Sequence, residues 1–379
     1  MIYLDNAATT KVLPEVKQAV MSTIDIYGNP SSQHNLGKQA SNILEKCRKE
    51  VLEYLGESRG DIVFTSSGSE ANNLALQGWY FANRDKPCTI ITTKIEHKSI
   101  LKTCEFLETL GCEIWYVDID NYGFVDINHL NMLCELCLFA GREFLVSIQG
   151  ANSEIGTIQD IKTIAKIVYD NGGTFHSDMV QLFPEASPEF DVDMMSVSGH
   201  KFGCPKGIGF LYIRDGINIK PLIYGGSQEN GFRAGTENLP YIVGISKAID
   251  LLKTRTKEYN KELEGKRDYL KYKLLNIKGS QMNGSASYRL CNNINISFKG
   301  IQSDALLAIL DGNGICVSSG SACNSGDSEP SYVLKAIGVD KEYIDGTMRI
   351  TIDNGISYTE LDIVATEIAD AVNALRMFN

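Results

Sequence analysis

The sequence has no apolar run approaching twenty residues, and its amino terminus lacks a basic stretch followed by an apolar one. Neither a membrane-spanning helix nor a secretory leader is expected, and the protein reads as cytoplasmic. Positive charge is in short supply: 36 Lys and Arg against 47 Asp and Glu leave a net charge of -11. That balance argues against a broad nucleic-acid surface and against an anionic membrane as partner. The ten cysteines lack paired metal spacing. In a chain of 379 residues they fit free thiols in a reducing compartment better than a disulfide framework, and no metal is expected. Cys134 and Cys137 do form a C-x-x-C, but they sit in an apolar run with no second pair, where two thiols on a helix face or in a core would lie. No internal repeat or low-complexity tract stands out.

What is present is an alternation of short β-rich runs and longer helical patterns in a chain that is 43% hydrophobic and large enough for two cores. The runs fall at 62–65, 89–93, 113–117, 144–148, 173–176, 193–197 and 208–213. Several are apolar on both faces, as strands of a helix-covered sheet are. Helical patterns at 71–83, 98–110, 126–139 and 161–169 lie between them. The expectation is a three-layer α/β domain, with a seven-stranded, mainly parallel sheet and helices on both faces. Residues 198–207 are too few for a helical crossover, so the last strand should run antiparallel. A long charged helix at 246–277 is expected as a connector. Strands at 293–298 and 347–352 and helices at 303–310 and 359–375 then form a smaller α+β domain. The expected division is a large domain of residues 12–250 and a small one of residues 1–11 and 251–379.

In an open α/β sheet, ligands bind beyond the carboxyl ends of the strands, and the polar residues gather there. Lys201 lies in the glycine-rich string SGHKFGCPKGIG at 198–209. It is either a solvated charge or, with its pKa lowered, a covalent hook for an aldehyde cofactor. The string SSGSEANN at 66–73 places Gly68 and Ser69 where a helix would start, as a plain cap or as a phosphate cradle. Asp178 fits a loop cap or a carboxylate that keeps a pyridinium nitrogen protonated. Gln181 fits a surface amide or a bond to a ring hydroxyl, and His97 a core histidine or a ring that stacks and shuttles protons. Together with Lys201 these residues describe pyridoxal 5'-phosphate. Further on, VSSGSACNSGDSEP at 317–330 carries Cys323 in a run of small residues that is expected to be mobile. Cys323 is an ordinary exposed thiol or a reactive one. No Lys or Arg lies in the run, so activation of its thiol would have to come from the cofactor pocket. Cys316, in an apolar context, reads as an inert neighbour. Arg349, in TMRITI, fits a carboxylate clamp and a strand-edge salt bridge equally.

With these pieces placed, the chain resembles the cysteine desulfurases of the nitrogen-fixation and iron-sulfur-cluster type, class V aminotransferases of the type I fold of pyridoxal-phosphate enzymes. The resemblance runs nearly end to end. It rests on YLDNAATT at 3–10, YGNPSSQH at 27–34, FTS at 64–66, EH at 96–97, SGHK at 198–201, GGSQE at 225–229, RAGTEN at 233–238 and SSGSAC at 318–323. It implies that Lys201 links to the cofactor aldehyde, that Asp178 meets the pyridine nitrogen, that Gln181 bonds the ring oxygen and that His97 stacks and joins in catalysis. It places Gly68, Ser69, Ser198 and His200 at the phosphate, with Thr236 arriving from the partner subunit of a homodimer, and counts Asn152 among the cofactor residues. Asn6 and Arg349 would bind the substrate carboxylate, and Cys323 would be the nucleophile. The implied reaction converts L-cysteine to L-alanine and leaves a persulfide on Cys323 for a sulfur-acceptor protein, either a cluster scaffold or a sulfur-relay protein serving tRNA thiolation. The sequence departs from the family pattern at Ser153, where a second asparagine is usual, at Met179 and at Cys204. A selenocysteine lyase, another aminotransferase-like enzyme, and a non-catalytic homologue that binds a sulfur-carrier protein stay open as alternatives.

Overall fold

The computed structural model describes residues 1–57, 59–185, 191–254, 257–320 and 330–377. The chain opens with a two-residue strand, β1 (Ile2–Tyr3), and two helices, α1 (Pro14–Ile24) and α2 (Asn35–Tyr54). Neither helix is among the sequence-based expectations, although Ala40, Leu44, Cys47 and Val51 recur at helical spacing and form the buried stripe of α2. Strand and helix then alternate through β2 (Asp61–Thr65), α3 (Gly68–Asn83), β3 (Cys88–Thr92), α4 (Lys98–Thr109), β4 (Glu113–Tyr116), α5 (Ile127–Phe139), β5 (Glu143–Ser147), α6 (Ile161–Asp170) and β6 (Thr174–Asp178). Two more strands, β7 (Met194–Ser198) and β8 (Gly209–Ile213), complete the sheet.

The sheet has seven strands in the order β2-β8-β7-β6-β5-β3-β4. Strand β8 runs antiparallel to both of its neighbours, and the pairs from β7 through to β4 are parallel. The expected reversal is therefore present: the chain leaves β7, makes one tight turn through Lys201, and returns as β8. Every residue of β3, β7 and β8 is buried, which explains why these strands read as continuous apolar runs. Cys134 and Cys137 are buried on the inner face of α5, and among the described residues no group of side chains could hold a metal ion. Among the described residues, too, no helix is long and apolar enough to cross a membrane.

The expected connector at 246–277 is in fact two helices, α7 (Leu239–Lys253) and α8 (Lys257–Leu275). Their apolar faces serve different cores. Leu239, Ile242, Ile245, Ala248, Ile249 and Leu252 of α7 pack into the core beside the large sheet, whereas Leu263, Leu270 and Leu274 of α8 pack with Ile294, Ile296 and Ile350. After α8 come β9 (Ser280–Met282), β10 (Asn293–Phe298), α9 (Ser303–Gly312), β11 (Ile315–Cys316), α10 (Tyr332–Ala336), α11 (Lys341–Ile344), β12 (Thr347–Thr351) and α12 (Tyr358–Met377). The second sheet is antiparallel in the order β12-β10-β9, and β1 pairs in parallel with β11. That last pairing brings the amino terminus to the second core, where Leu4 is fully buried.

One buried ion pair fixes a loop at the sheet's edge. Arg48 of α2 donates from Nη1 to Glu229 Oε2 at 2.9 Å and to the carbonyl of Ile62, and the same Glu229 oxygen accepts from the Phe64 amide at 2.9 Å. Glu229 and Asn230 have φ of +48° and +54°, a region costly for a side chain such as glutamate. The pair holds that strained turn, and with it the segment leading to Thr236. Glu229→Leu alone should lower the unfolding free energy by about 3–5 kcal/mol, because a guanidinium is left buried without its counter-charge. Arg48→Met added to Glu229→Leu should recover a large part of that loss in denaturant titration. Equal midpoints for the single and the double variant would sink the assignment.

Candidate active site

The carboxyl ends of β2, β3, β5, β6 and β7 open into one cavity of about 210 Å³, lined among others by Gly68, Ser69, Asn72, His97, Ser153, Asp178, Gln181, Ser198, His200, Lys201 and Arg349. Nine of the expected residues are thus brought together from across the chain. Lys201 ends a single helical turn, Gly199–Lys201, directly after β7. Its Nζ donates to the carbonyls of Ala7 at 2.6 Å and Ala8 at 2.8 Å. Gln181 Nε2 donates to the same Ala7 carbonyl at 3.1 Å. The residues just after β1 therefore form one wall of the cavity.

Asp178, the last residue of β6, is 8% exposed. Its Oδ1 caps the turn by accepting from the Val180 amide at 3.0 Å, and its Oδ2 accepts from Asn72 Nδ2 at 2.7 Å. The same Asn72 nitrogen donates to Ser99 Oγ at 2.9 Å, and Ser99 Oγ lies 2.7 Å from His97 Nδ1. His97 Nδ1 also accepts from the Ser99 amide at 3.1 Å, which makes His97 the cap of α4. With Nδ1 accepting from two donors, the ring carries its proton on Nε2. Asp178 and His97 are thus joined through Asn72 and Ser99. Reasoning from sequence missed both links, although Asn72 stands inside the string SSGSEANN.

Helix α3 begins hard against the cavity. A Cβ on Gly68 would come 2.7 Å from Val180 Cγ2 and 3.3 Å from Ser198 Cβ, so only glycine lets the helix approach this closely. Among the described residues, no hydrogen bond engages the Gly68 and Ser69 amides, whereas Ser67 caps the Glu70 amide. Two free amides at the positive end of a sixteen-residue helix, beside Ser198 and His200, suit a phosphate. Burial and the nearby Lys201 and Lys206 push the His200 pKa down to about 4, so it meets an anion as a neutral donor. The aldehyde cofactor foreseen from sequence fits this donor set: an amine, a carboxylate at the far wall, and a helix start between them.

Arg349, in β12, is 2% exposed. Its Nη2 donates to Asp5 Oδ1 at 2.7 Å and its Nη1 to the Ser153 carbonyl at 3.0 Å, while Nε is buried without a partner. Arg349 is therefore salt-bridged, as one of its two readings had it, and it also lines the cavity. Asn6 lies in the adjoining cavity of about 590 Å³, which shares Lys201 and Gln181 with the first, and its Nδ2 donates to the Thr351 carbonyl at 2.8 Å. Thr236 lines a third cavity with Glu229 and Arg233, away from Lys201 of the same chain. Asn152 is a correction. Its Nδ2 donates to the Ile95 carbonyl and its Oδ1 accepts from the Glu154 and Ile155 amides. Its polar atoms are consumed in shaping the turn, and Ser153 is the residue that lines the cavity. The other two departures do not reach the site: Met179 is fully buried, and Cys204 bonds the Gly244 carbonyl at 3.6 Å.

Cys323 lies outside the described residues. Its run is tied in at both ends, however. Ser318 and Arg349 exchange backbone hydrogen bonds of 3.2 and 2.6 Å, and Tyr332 donates its hydroxyl to the Glu96 carbonyl at 2.8 Å. Glu96 itself is buried, and burial pushes its carboxyl pKa up to about 8.

Residues 2–364 match the family model described as Aminotransferase class-V. Cysteine desulfurase IscS of Methanosarcina thermophila is 42% identical, covering 99% of this chain and 93% of its own length. A solved structure titled a NifS-like protein superposes with a TM-score of 0.91 at 35% identity, covering 99% of this chain and all of its own. A second, titled SspA in complex with cysteine, gives 0.81 at 32% identity over 93% of this chain and 99% of its own.

Beneath Asp178 on β6, His176 is fully buried between Ser147 Oγ at 2.9 Å and Ser196 Oγ at 3.0 Å, and burial pushes its pKa down to about 3. The folded protein therefore keeps His176 neutral while the unfolded chain takes up a proton near pH 6.5. As pH falls below that value, this one residue should cost about 1.4 kcal/mol of stability per pH unit. His176→Gln removes the titration. The penalty of that variant should be largest at neutral pH and shrink as the solution is acidified; a penalty independent of pH would refute a neutral, buried His176.

Proposed function

This chain belongs to the class V aminotransferase family, among its cysteine desulfurases, and on that premise we propose that it takes the sulfur of L-cysteine as a persulfide on Cys323 and releases L-alanine. The family depends on pyridoxal 5'-phosphate. Gly68, Ser69, Ser198 and His200 would hold its phosphate, Asp178 its pyridine nitrogen, Gln181 its ring oxygen, and His97 its ring face. When bound, this cofactor supplies an electron sink for the substrate α carbon.

The chain's own groups do the rest. Arg349, whose Nε has no partner among the described residues, and Asn6 grip the substrate carboxylate. Lys201 Nζ, kept in the cavity by the Ala7 and Ala8 carbonyls, takes the α proton. The thiolate of Cys323 attacks the substrate sulfur: the new S–S bond forms as the bond from sulfur to Cβ breaks, Cβ takes up a proton, and Lys201 returns the proton to the α carbon to give alanine. The observation that carries the reading is the pairing of Ser318 with Arg349. It ties the run containing Cys323 to the substrate clamp itself, with a tether of five residues that spans at most about 17 Å.

We read residues 12–250 as the large unit and residues 1–11 with 251–379 as the small one. The working form is proposed to be a cytoplasmic homodimer. Thr236 lines a cavity other than that of its own Lys201, and the exposed Tyr27, Ile223 and Tyr224 offer apolar surface for a second copy to cover. The persulfide would pass to a sulfur-acceptor protein.

After exposure to L-cysteine, mass spectrometry of the cofactor-loaded protein should find one additional sulfur on the peptide containing Cys323, and an equivalent of alanine in solution. Cys323→Ala should abolish both sulfur uptake and sulfide release in the presence of reductant. Sulfide release that survives the substitution would overturn the mechanism.

A further inference from the structure

Glu154 is a buried carboxylate for which the mechanism above has no use. It is 1% exposed, and among the described residues neither of its carboxylate oxygens has a hydrogen-bond partner. Such a group is costly and calls for an explanation. Its position is tightly held. Its amide donates to Asn152 Oδ1 at 2.8 Å, and its carbonyl accepts from Asn293 at 3.3 Å and Asn295 at 3.1 Å. The carboxylate is aimed at Gly320, where an added Cβ would lie 3.0 Å from Oε1. Gly320 stands two residues past Ser318, the backbone partner of Arg349. The preceding carbonyl, that of Ser153, receives Arg349 Nη1.

The charges around this carboxylate can be named from each side. Arg349 of β12 is the cation that favours its charged form, and it is already paired with Asp5. Arg289, also buried, bonds the Ile155 carbonyl and Asn293, bracing the turn from below. The Ser331 hydroxyl, which caps α10, favours the charged form of Glu154 as a hydrogen-bond donor would. Asn293 and Asn295 of β10 are neutral. One guanidinium thus already answers to two carboxylates, Asp5 in contact and Glu154 at longer range, before any ligand arrives. A substrate carboxylate would be the third.

We propose that Glu154 is a proton-linked positioning residue for Arg349: it carries a negative charge while the clamp is empty and takes up a proton when a carboxylate ligand binds. This rests on Arg349 being the substrate clamp. Burial has already pushed the Glu154 pKa up to about 6, with Ser331 and Arg349 opposing the shift, so a modest further push crosses neutrality. The sign follows from linkage. If binding captures a proton, affinity is highest at low pH and falls as pH rises above about 6, by up to about tenfold per pH unit for one proton.

Propionate is a suitable probe because it offers a carboxylate with neither thiol nor amine. Its binding to the cofactor-loaded enzyme can be followed by calorimetry at neutral pH in two buffers with different heats of protonation. Wild type should take up a substantial fraction of one proton and lose affinity steadily toward about pH 8; Glu154→Gln should bind with almost no proton uptake and a flat pH profile. His97, Asp178 and Lys201 remain in both proteins, so the difference reports Glu154. Absence of uptake in wild type, or equal uptake in the variant, overturns the proposal. The wild-type pH profile stands alone as a check should the variant fold poorly. Arg349→Lys separates the two claims: if it binds propionate as tightly as wild type, the clamp assignment itself fails, and the role of Glu154 falls with it.

Discussion

The contact between Asp5 and Arg349 fastens the segment after β1 to β12, beside the second core. Asp5 follows β1, which is paired with β11, and the same short segment reaches the Lys201 turn. Ala7 and Ala8 give their carbonyls to Lys201, while Thr9 and Thr10 bond the side chain and the backbone carbonyl of His200. Asn6 and Ala7 are stitched to Thr351 at the end of β12. Six consecutive residues therefore set where the lysine stands relative to the arginine. The pair is almost fully desolvated on the arginine side. In such a setting the geometry of the charges matters more than any net stability they add.

The second constraint is the strand reversal after β7. A parallel sheet places its strand ends in one row, but it cannot return the chain in a few residues without changing direction. The turn from β7 into β8 does so and leaves Lys201 at its tip, facing the neighbouring strand end with Asp178. The chain from Asp178 through Asn72 and Ser99 to His97 then fixes the imidazole from the opposite side. The cavity is thus organised by backbone direction first and by side-chain hydrogen bonds second.

Much of this was legible in the sequence. The strands buried on both faces announced themselves as apolar runs, and the short stretch around Lys201 gave the reversal through length alone. Lys201, Asp178, His97 and Gly68 each fit two readings in isolation, and it is their common place at strand ends that the sequence made visible. Three things were not legible. The break that separates α7 from α8 falls in a charged, helix-compatible stretch, and only the identity of the core beneath each half reveals it. Asn152 was counted among the cofactor residues, yet its Oδ1 accepts from the Glu154 and Ile155 amides and it does not line the cavity, as befits an asparagine that forms a turn. The role of the residues after β1 could not be read because it is played by their carbonyls, which every sequence has.

The backbone pairing of Ser318 with Arg349 has an evolutionary corollary. The intervening chain is an excursion that departs from and returns to a single ladder rung, so its length is decoupled from the chemistry at that rung. Closure entropy grows only slowly, by about 0.6 kcal/mol for each doubling of a flexible loop. Insertions or deletions on the excursion can therefore change its reach while the rung itself stays untouched.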